Sequence, residues 1–205
     1  MGALITNLDL RPALQNVRRV GAAFVSHALT DSFCRRLQQE VQSGPFTPLP
    51  EQMGPVHTQA ELFVVAEDAT SWPAIGQLRD EFVSFVRKQD SAVRGLDRWW
   101  PNEISVQRYR QGAIGVSPHL DSKRFSFLVA VFTTEGSAPF ALCLDRAGTV
   151  LEAWDAIPGS LVLLRGPDLG GINDGRPFHM VGGPASGTRF SVTFRMNSRK
   201  ATSSQ

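Results

Sequence analysis

Beyond Pro101 the sequence breaks into seven short runs rich in β-branched and aromatic residues, at 103–110, 125–133, 139–144, 150–154, 160–165, 178–181 and 188–196. Gly, Pro and Asp separate them, in turn signals such as Arg146-Ala147-Gly148 and Ile157-Pro158-Gly159. Runs this short and this regularly interrupted suit strands and not helices of ordinary length. Seven strands at such spacing predict a jelly-roll or barrel, in which two sheets or closure limits exposed edges.

The first half has a different texture. Thr30 precedes a stretch, 31–42, with Phe33, Leu37 and Val41 at helical spacing, and Gly44-Pro45 ends it. Pro45, Pro48, Pro50 and Gly54-Pro55 make 43–61 read as a long surface loop, of a length often functional, ahead of a short strand at 61–66. A second helix is predicted from Ser71 or Trp72 to about Lys88, with Pro73 in its first turn. Ile75, Leu78, Phe82, Phe85 and Val86 give it an apolar face suited to covering a sheet. Helices first and strands afterwards predict one α+β domain over 1–205. Its helical or lid region would occupy about 1–100 and its double-sheet core 101–197, with the N-terminal helices packed outside.

Composition removes several classes of function. The chain has 205 residues, 42% of them hydrophobic, enough for a buried core and too many for a disordered segment. No apolar run approaches the roughly 18 residues of a membrane helix. Residues 1–9 show no export signal, so the expected location is cytoplasmic. Cys34 and Cys143 are the only cysteines and form no CxxC pair, which argues against a disulfide framework or a zinc knuckle. A formal charge of +2 from 21 basic and 19 acidic residues gives no electrostatic case for nucleic acid. Residues 201–205 read as a frayed polar end, and nothing in the sequence sets an oligomeric state.

Four histidines are present, His27, His57, His119 and His179. In Ser117-Pro118-His119-Leu120-Asp121, the positions two apart place an imidazole and a carboxylate on one side of a strand or strand end. His179 is the remaining histidine of the β-rich half. Two neutral imidazoles and one carboxylate on one face of an octahedron, with three positions open, suit non-haem Fe(II) oxygen chemistry. An HxD alone is a common accident, but the final run adds weight. Arg189, Ser191, Thr193 and Arg195 share one parity while Phe190, Val192 and Phe194 share the other. Two guanidinium groups on one face of a strand whose opposite face is apolar match the forked geometry of carboxylates, and so a dicarboxylate.

These pieces carry a resemblance. Gln107-Arg108-Tyr109, His119-Leu120-Asp121, the run from Gly159 to Gly166, His179 and the run from Arg189 to Arg195 follow the order and spacing of the AlkB-like group of Fe(II)/2-oxoglutarate-dependent dioxygenases. The segment from about Asn102 to Arg195 resembles that group. The resemblance implies a double-stranded β-helix with Fe(II) on His119, Asp121 and His179, and 2-oxoglutarate and O2 as cosubstrates. Arg189, helped by Tyr109, would then hold the distal carboxylate of 2-oxoglutarate, and Arg195 would lie near the proximal one. Gln107 and Ser191 stand where the group commonly has Asn. Lys123 stands where DNA-repair members carry an acidic residue against the flipped base, so nucleic-acid dealkylation is the alternative and not the main reading. Asp121 argues against a halogenase. The main reading is hydroxylation of a small molecule with release of succinate and CO2, and Lys123, Arg124 and Arg165 are candidates to meet an anionic substrate. A barrel that binds a metal or carboxylate without turnover is the third possibility.

Overall fold

The structure is a computed structural model that describes residues 2–89 and 93–200. The polar end at 201–205 lies outside the described residues. In chain order the elements are α1 (Arg11–Val20), β1 (Ala22–Val25), α2 (Asp31–Gln42), β2 (Thr47–Pro48), β3 (Gln52–Met53), β4 (Val56–Gln59), β5 (Glu61–Val65) and α3 (Pro73–Arg87). There follow β6 (Glu103–Arg110), β7 (Gly115–His119), β8 (Phe125–Glu135), β9 (Ala138–Cys143), β10 (Val150–Ala156), β11 (Leu161–Arg165), β12 (Phe178–Val181) and β13 (Thr188–Asn197). The seven-stranded major sheet runs β1-β11-β8-β13-β6-β5-β2, and the six-stranded minor sheet runs β10-β9-β12-β7-β4-β3. This is the α+β double-sheet architecture expected, a jelly-roll with helices against one face.

Two apolar clusters follow from the alternation of the strands. Phe190, Val192 and Phe194 of β13, with Leu128, Ala130 and Phe132 of β8, face the helices and pack with Leu14, Leu37, Ile75, Leu78 and Phe82. Val129, Val131, Val162 and Leu164 face the other way, toward Val116, Phe140, Leu142 and Val181 of the minor sheet. Helices cover one side of β8 and the second sheet covers the other, so its first ten residues are all buried. Trp99 anchors the helical layer, with its indole donating to Leu128 O at 2.7 Å. Helix α2 begins where the sequence places it, the Thr30 hydroxyl accepting from the Phe33 amide at 3.4 Å. Cys34 and Cys143 are free and buried. No helix among the described residues is long and apolar enough to cross a membrane.

The region 43–61 departs from the sequence reading. It is not a simple loop: β2 pairs with β5 on the major sheet, while β3 and β4 form a hairpin about Gly54-Pro55 and β4 pairs with β7 on the minor sheet. Pro48 is tolerated there because β2 is a short edge strand, and Pro45, Pro50 and Pro55 lie outside the strands. Strand β1, on the other edge of the major sheet, and helix α1 are also absent from the sequence reading. Only Leu14 and Val17 of α1 are buried, so its periodic signal is short. The first hundred residues thus hold β1 to β5 as well as the helices and extend both sheets.

Candidate active site

Strands β7 and β12 are antiparallel neighbours whose register sets His119 opposite His179, with ring centroids 4.2 Å apart. Each ring is oriented by a carbonyl two residues earlier: the Nδ1 of His119 lies 2.9 Å from Ser117 O, and that of His179 lies 3.1 Å from Pro177 O. A carbonyl only accepts, so each Nδ1 carries a proton, and in the neutral ring the lone pair is then on Nε2. Asp121 follows the end of β7, and its Oδ2 lies 3.9 Å from the His179 Nε2. One ligand atom from each of His119, Asp121 and His179 lies within 4.8 Å of the other two. Burial, with His119 beside it, pushes the His179 imidazole down to about 4, so it is neutral at pH 7 as a metal ligand must be. Burial alone would raise the Asp121 carboxyl, but Arg195, the two histidines and Arg176 outweigh it and hold Asp121 below its ordinary value. The Arg195 Nε lies 3.9 Å from Asp121 Oδ1, and its Nη1 donates to Ser105 Oγ at 3.0 Å.

A narrow cleft of about 30 Å³ runs inward from these residues, with Gln107 and Tyr109 of β6 and Arg189 and Arg195 of β13 on its major-sheet wall. Val131, Phe140 and Leu164 supply apolar surface, and the Phe140 ring stacks on His179 at 5.6 Å. Arg189 is 1% exposed. Its Nη2 donates to Thr133 Oγ1 at 3.0 Å and its guanidinium sits 5.3 Å from the Tyr109 ring centroid, while its Nε has no partner. Burial raises the Tyr109 hydroxyl and keeps it protonated. Among the described residues no carboxylate pairs with Arg189. The Nε of Arg195 is likewise buried without a hydrogen-bond partner. Buried guanidinium donors left unpaired are costly, so this donor set fits an anionic ligand spanning the cleft. Two imidazoles and a carboxylate at the outer end fit Fe(II) equally well.

Ser191 is on the inward face of β13 and fully buried, but it is not part of the cleft wall. Lys123, Arg124 and Arg165 do not line the cleft either. Lys123 is 73% exposed at its side chain and meets Asp174 Oδ2 at 3.2 Å. Arg124 lies over the Phe125 ring, with its Nη2 3.5 Å from Glu103 Oε1. Arg165 shares parity with Leu161 and Leu163, which face the helices, and it donates to Gly175 O and Arg18 O. The three are held by different partners, and none of them stands on the cleft wall. Thr133, Phe140, Asp174 and Arg176 take part in or support the site without having been singled out in the sequence. Their proximity depends on strand register and on the loop before β12, for which the sequence carries no local signal. His27 is exposed, and the His57 side chain is not part of the cleft.

Neither a protein-family model nor a curated protein matches the chain. Solved structures do. A prolyl-4-hydroxylase from Pseudomonas putida superposes with a TM-score of 0.67 at 18% identity, covering 94% of this chain and 100% of its own. A prolyl hydroxylase from Trichoplax adhaerens, in complex with a peptide fragment of the hypoxia inducible factor oxygen degradation domain, gives 0.66 at 16% identity over 96% and 93% of the two chains. A 2OG-Fe(II) oxygenase family oxidoreductase from Burkholderia pseudomallei gives 0.64 at 12% identity over 97% of each. The fold is that of these oxygenases. At such identities the likeness is one of fold, and the oxygenase fold here carries its histidine pair on the minor sheet and its buried arginines on the major sheet.

Proposed function

We propose that the chain is a Fe(II)- and 2-oxoglutarate-dependent dioxygenase that hydroxylates a small-molecule C–H bond and releases succinate and CO2. The observation that carries this reading is the pairing, across one cleft, of the His119, Asp121 and His179 cluster with the buried, unpaired donor of Arg189. His119, Asp121 and His179 would hold the metal, Arg189 and Tyr109 the distal carboxylate of 2-oxoglutarate, and Arg195 with Gln107 its proximal end. When bound, Fe(II) and 2-oxoglutarate supply the O2-activating chemistry, in which the diacid is oxidised to succinate and CO2 and one oxygen atom goes to the substrate.

The protein's own part is orientation and exclusion of water. Thr133 and Tyr109 fix the Arg189 fork before any ligand arrives, so little rotamer freedom is lost on binding. Val131, Phe140 and Leu164 keep the cleft apolar between its charged ends, which strengthens the ion pairs formed there. A five-carbon diacid is larger than the present cleft, and Gln107 and Arg195, the half-buried residues of its major-sheet wall, are the side chains that would turn to admit it.

The likeness to prolyl hydroxylases, one of them in complex with a peptide, favours a peptidyl substrate as the second reading. The test is anaerobic addition of 2-oxoglutarate to the Fe(II)-loaded protein, followed by succinate release with O2. The substrates compared are amino acids and small carboxylates, proline-containing peptides and a methylated single-stranded oligonucleotide. A visible charge-transfer band and succinate stimulated by a small molecule are expected. Stimulation by peptide or oligonucleotide alone would replace the substrate class, and absence of both band and turnover would overturn the enzyme reading.

A further inference from the structure

We propose that Asp174 and Arg176 are positioning residues that bracket the turn carrying Asp121 and fix its carboxylate against His179; this rests on the reading of His119, Asp121 and His179 as metal ligands. The need for such a bracket is visible in the ladder. Strand β7 ends at His119, so pairing with β12 sets the two histidines opposite one another but leaves Asp121 beyond the last ladder position. The main chain of Asp121 is held instead by Arg176, whose Nη1 donates to the Asp121 carbonyl.

Arg176 is itself fixed. Its side chain is only 11% exposed, and its Nε and Nη2 fork onto the two carboxylate oxygens of Asp174 at 2.8 and 3.0 Å. A guanidinium with both ends engaged and its charge matched is a rigid strut, which a lysine could not be. Lys123, on the far side of the same turn, reaches the other face of the bracket at Asp174 Oδ2. Residues 174 and 176 thus hold the turn at Asp121 and at Lys123, and they sit immediately ahead of the strand that carries His179. Arg165 tethers the same loop at Gly175 O, without touching Asp121. Groups that orient metal ligands in this way typically contribute about 10- to 100-fold in metal affinity.

The experiment is Mn(II) binding to the full chain, read from the EPR signal of the free aqueous ion, with thermal melts of the metal-free protein alongside. Arg176→Gln and Asp174→Asn are each expected to raise the Mn(II) Kd by about 10-fold or more. The double variant is expected to be no weaker than the worse single one, because the two side chains act as one unit. Arg165→Ala, which loosens the loop at its other tether, is expected to lower the melting temperature and leave the Mn(II) Kd within about twofold of the parent. A Kd within about twofold of the parent in folded Arg176→Gln, or in Asp174→Asn should the first variant fail to fold, overturns the bracket. So does an Arg165→Ala loss as large as that of Arg176→Gln, since the effect would then be general loosening. Absence of Mn(II) binding in the parent, or undiminished binding in His179→Ala, overturns the metal-centre reading beneath it.

Discussion

Arg189 concentrates the chemistry of the cleft in one side chain. It is buried, its fork is set by Thr133 and Tyr109, and one of its donors is unpaired. Arg189→Ala should raise the KM for 2-oxoglutarate about 10- to 150-fold, the equivalent of roughly 1.5 to 3 kcal/mol for a charge-assisted contact. Succinate release against 2-oxoglutarate concentration measures this, and an unchanged KM would remove Arg189 from the cosubstrate site. His119→Ala and Asp121→Ala should abolish iron-dependent turnover, with full succinate production as the contrary result. At this scale much was legible: the HxD spacing and the parity of the last strand bring the cluster and the arginines to one cleft. Arg165 was not legible for the opposite reason. Apolar residues lie on both parities of its strand, so nothing local says which side faces the cleft and which faces the helices.

Among the elements, β7 is the most sensitive. Gly115 opens it with a φ of +80°, and a Cβ there would come within 1.9 Å of Val181 O on β12. Gly115→Ala should cost roughly 3 kcal/mol, from the left-handed backbone and the clash together, seen as a fall of roughly 10 °C in Tm. A variant melting within a degree or two of the parent would show that the strand pair shifts freely. The β5 and β6 pair offers a test with pH. Glu61 stands opposite Arg108 in register, and Arg108 first, with Arg110, holds its carboxyl below the ordinary 4.5. A carboxyl depressed in the folded state stabilises in full above its ordinary value, and that contribution starts to fall below it and is lost as pH falls through the lowered folded-state value. Glu61→Gln should therefore cost about 1 kcal/mol at pH 7, and the difference should shrink below pH 4.5. Denaturant midpoints at pH 7 and pH 3.5 would show it, and an equal loss at both would assign the effect to packing. Strand 178–181 agrees with the sequence to the residue because turn signals bound it on both sides. In the sequence only a strand or strand end about His119 marks β7, and it is not among the seven runs because Gly115, Ser117 and Pro118 are poor strand formers. They are tolerated because partners on either side, β4 and β12, dictate the conformation.

For the molecule as a whole, the two clusters divide the labour. The helix-side cluster holds most of the large buried side chains and none of the cleft residues. Ligand binding should still register as stability. Mn(II) with 2-oxoglutarate at about 100 times its Kd should add about 2.7 kcal/mol, or roughly 5–10 °C in Tm. No shift in the parent, or the same shift in Arg189→Ala, would contradict the site. The double sheet with outer helices was readable in the sequence because turn spacing and helical periodicity are local. The weaving of 43–61 into both sheets was not, since those short edge strands borrow their order from their neighbours. The same topology has a consequence for selectivity. With the histidine pair on one sheet and Arg189 on the other, a diacid bound as proposed would be gripped like a work-piece in a calliper whose jaws are the two sheets. Side chains such as Gln107 can turn to make room, but the separation of the two ends is set by two packed layers, so a diacid one carbon shorter or longer should bind more weakly than 2-oxoglutarate.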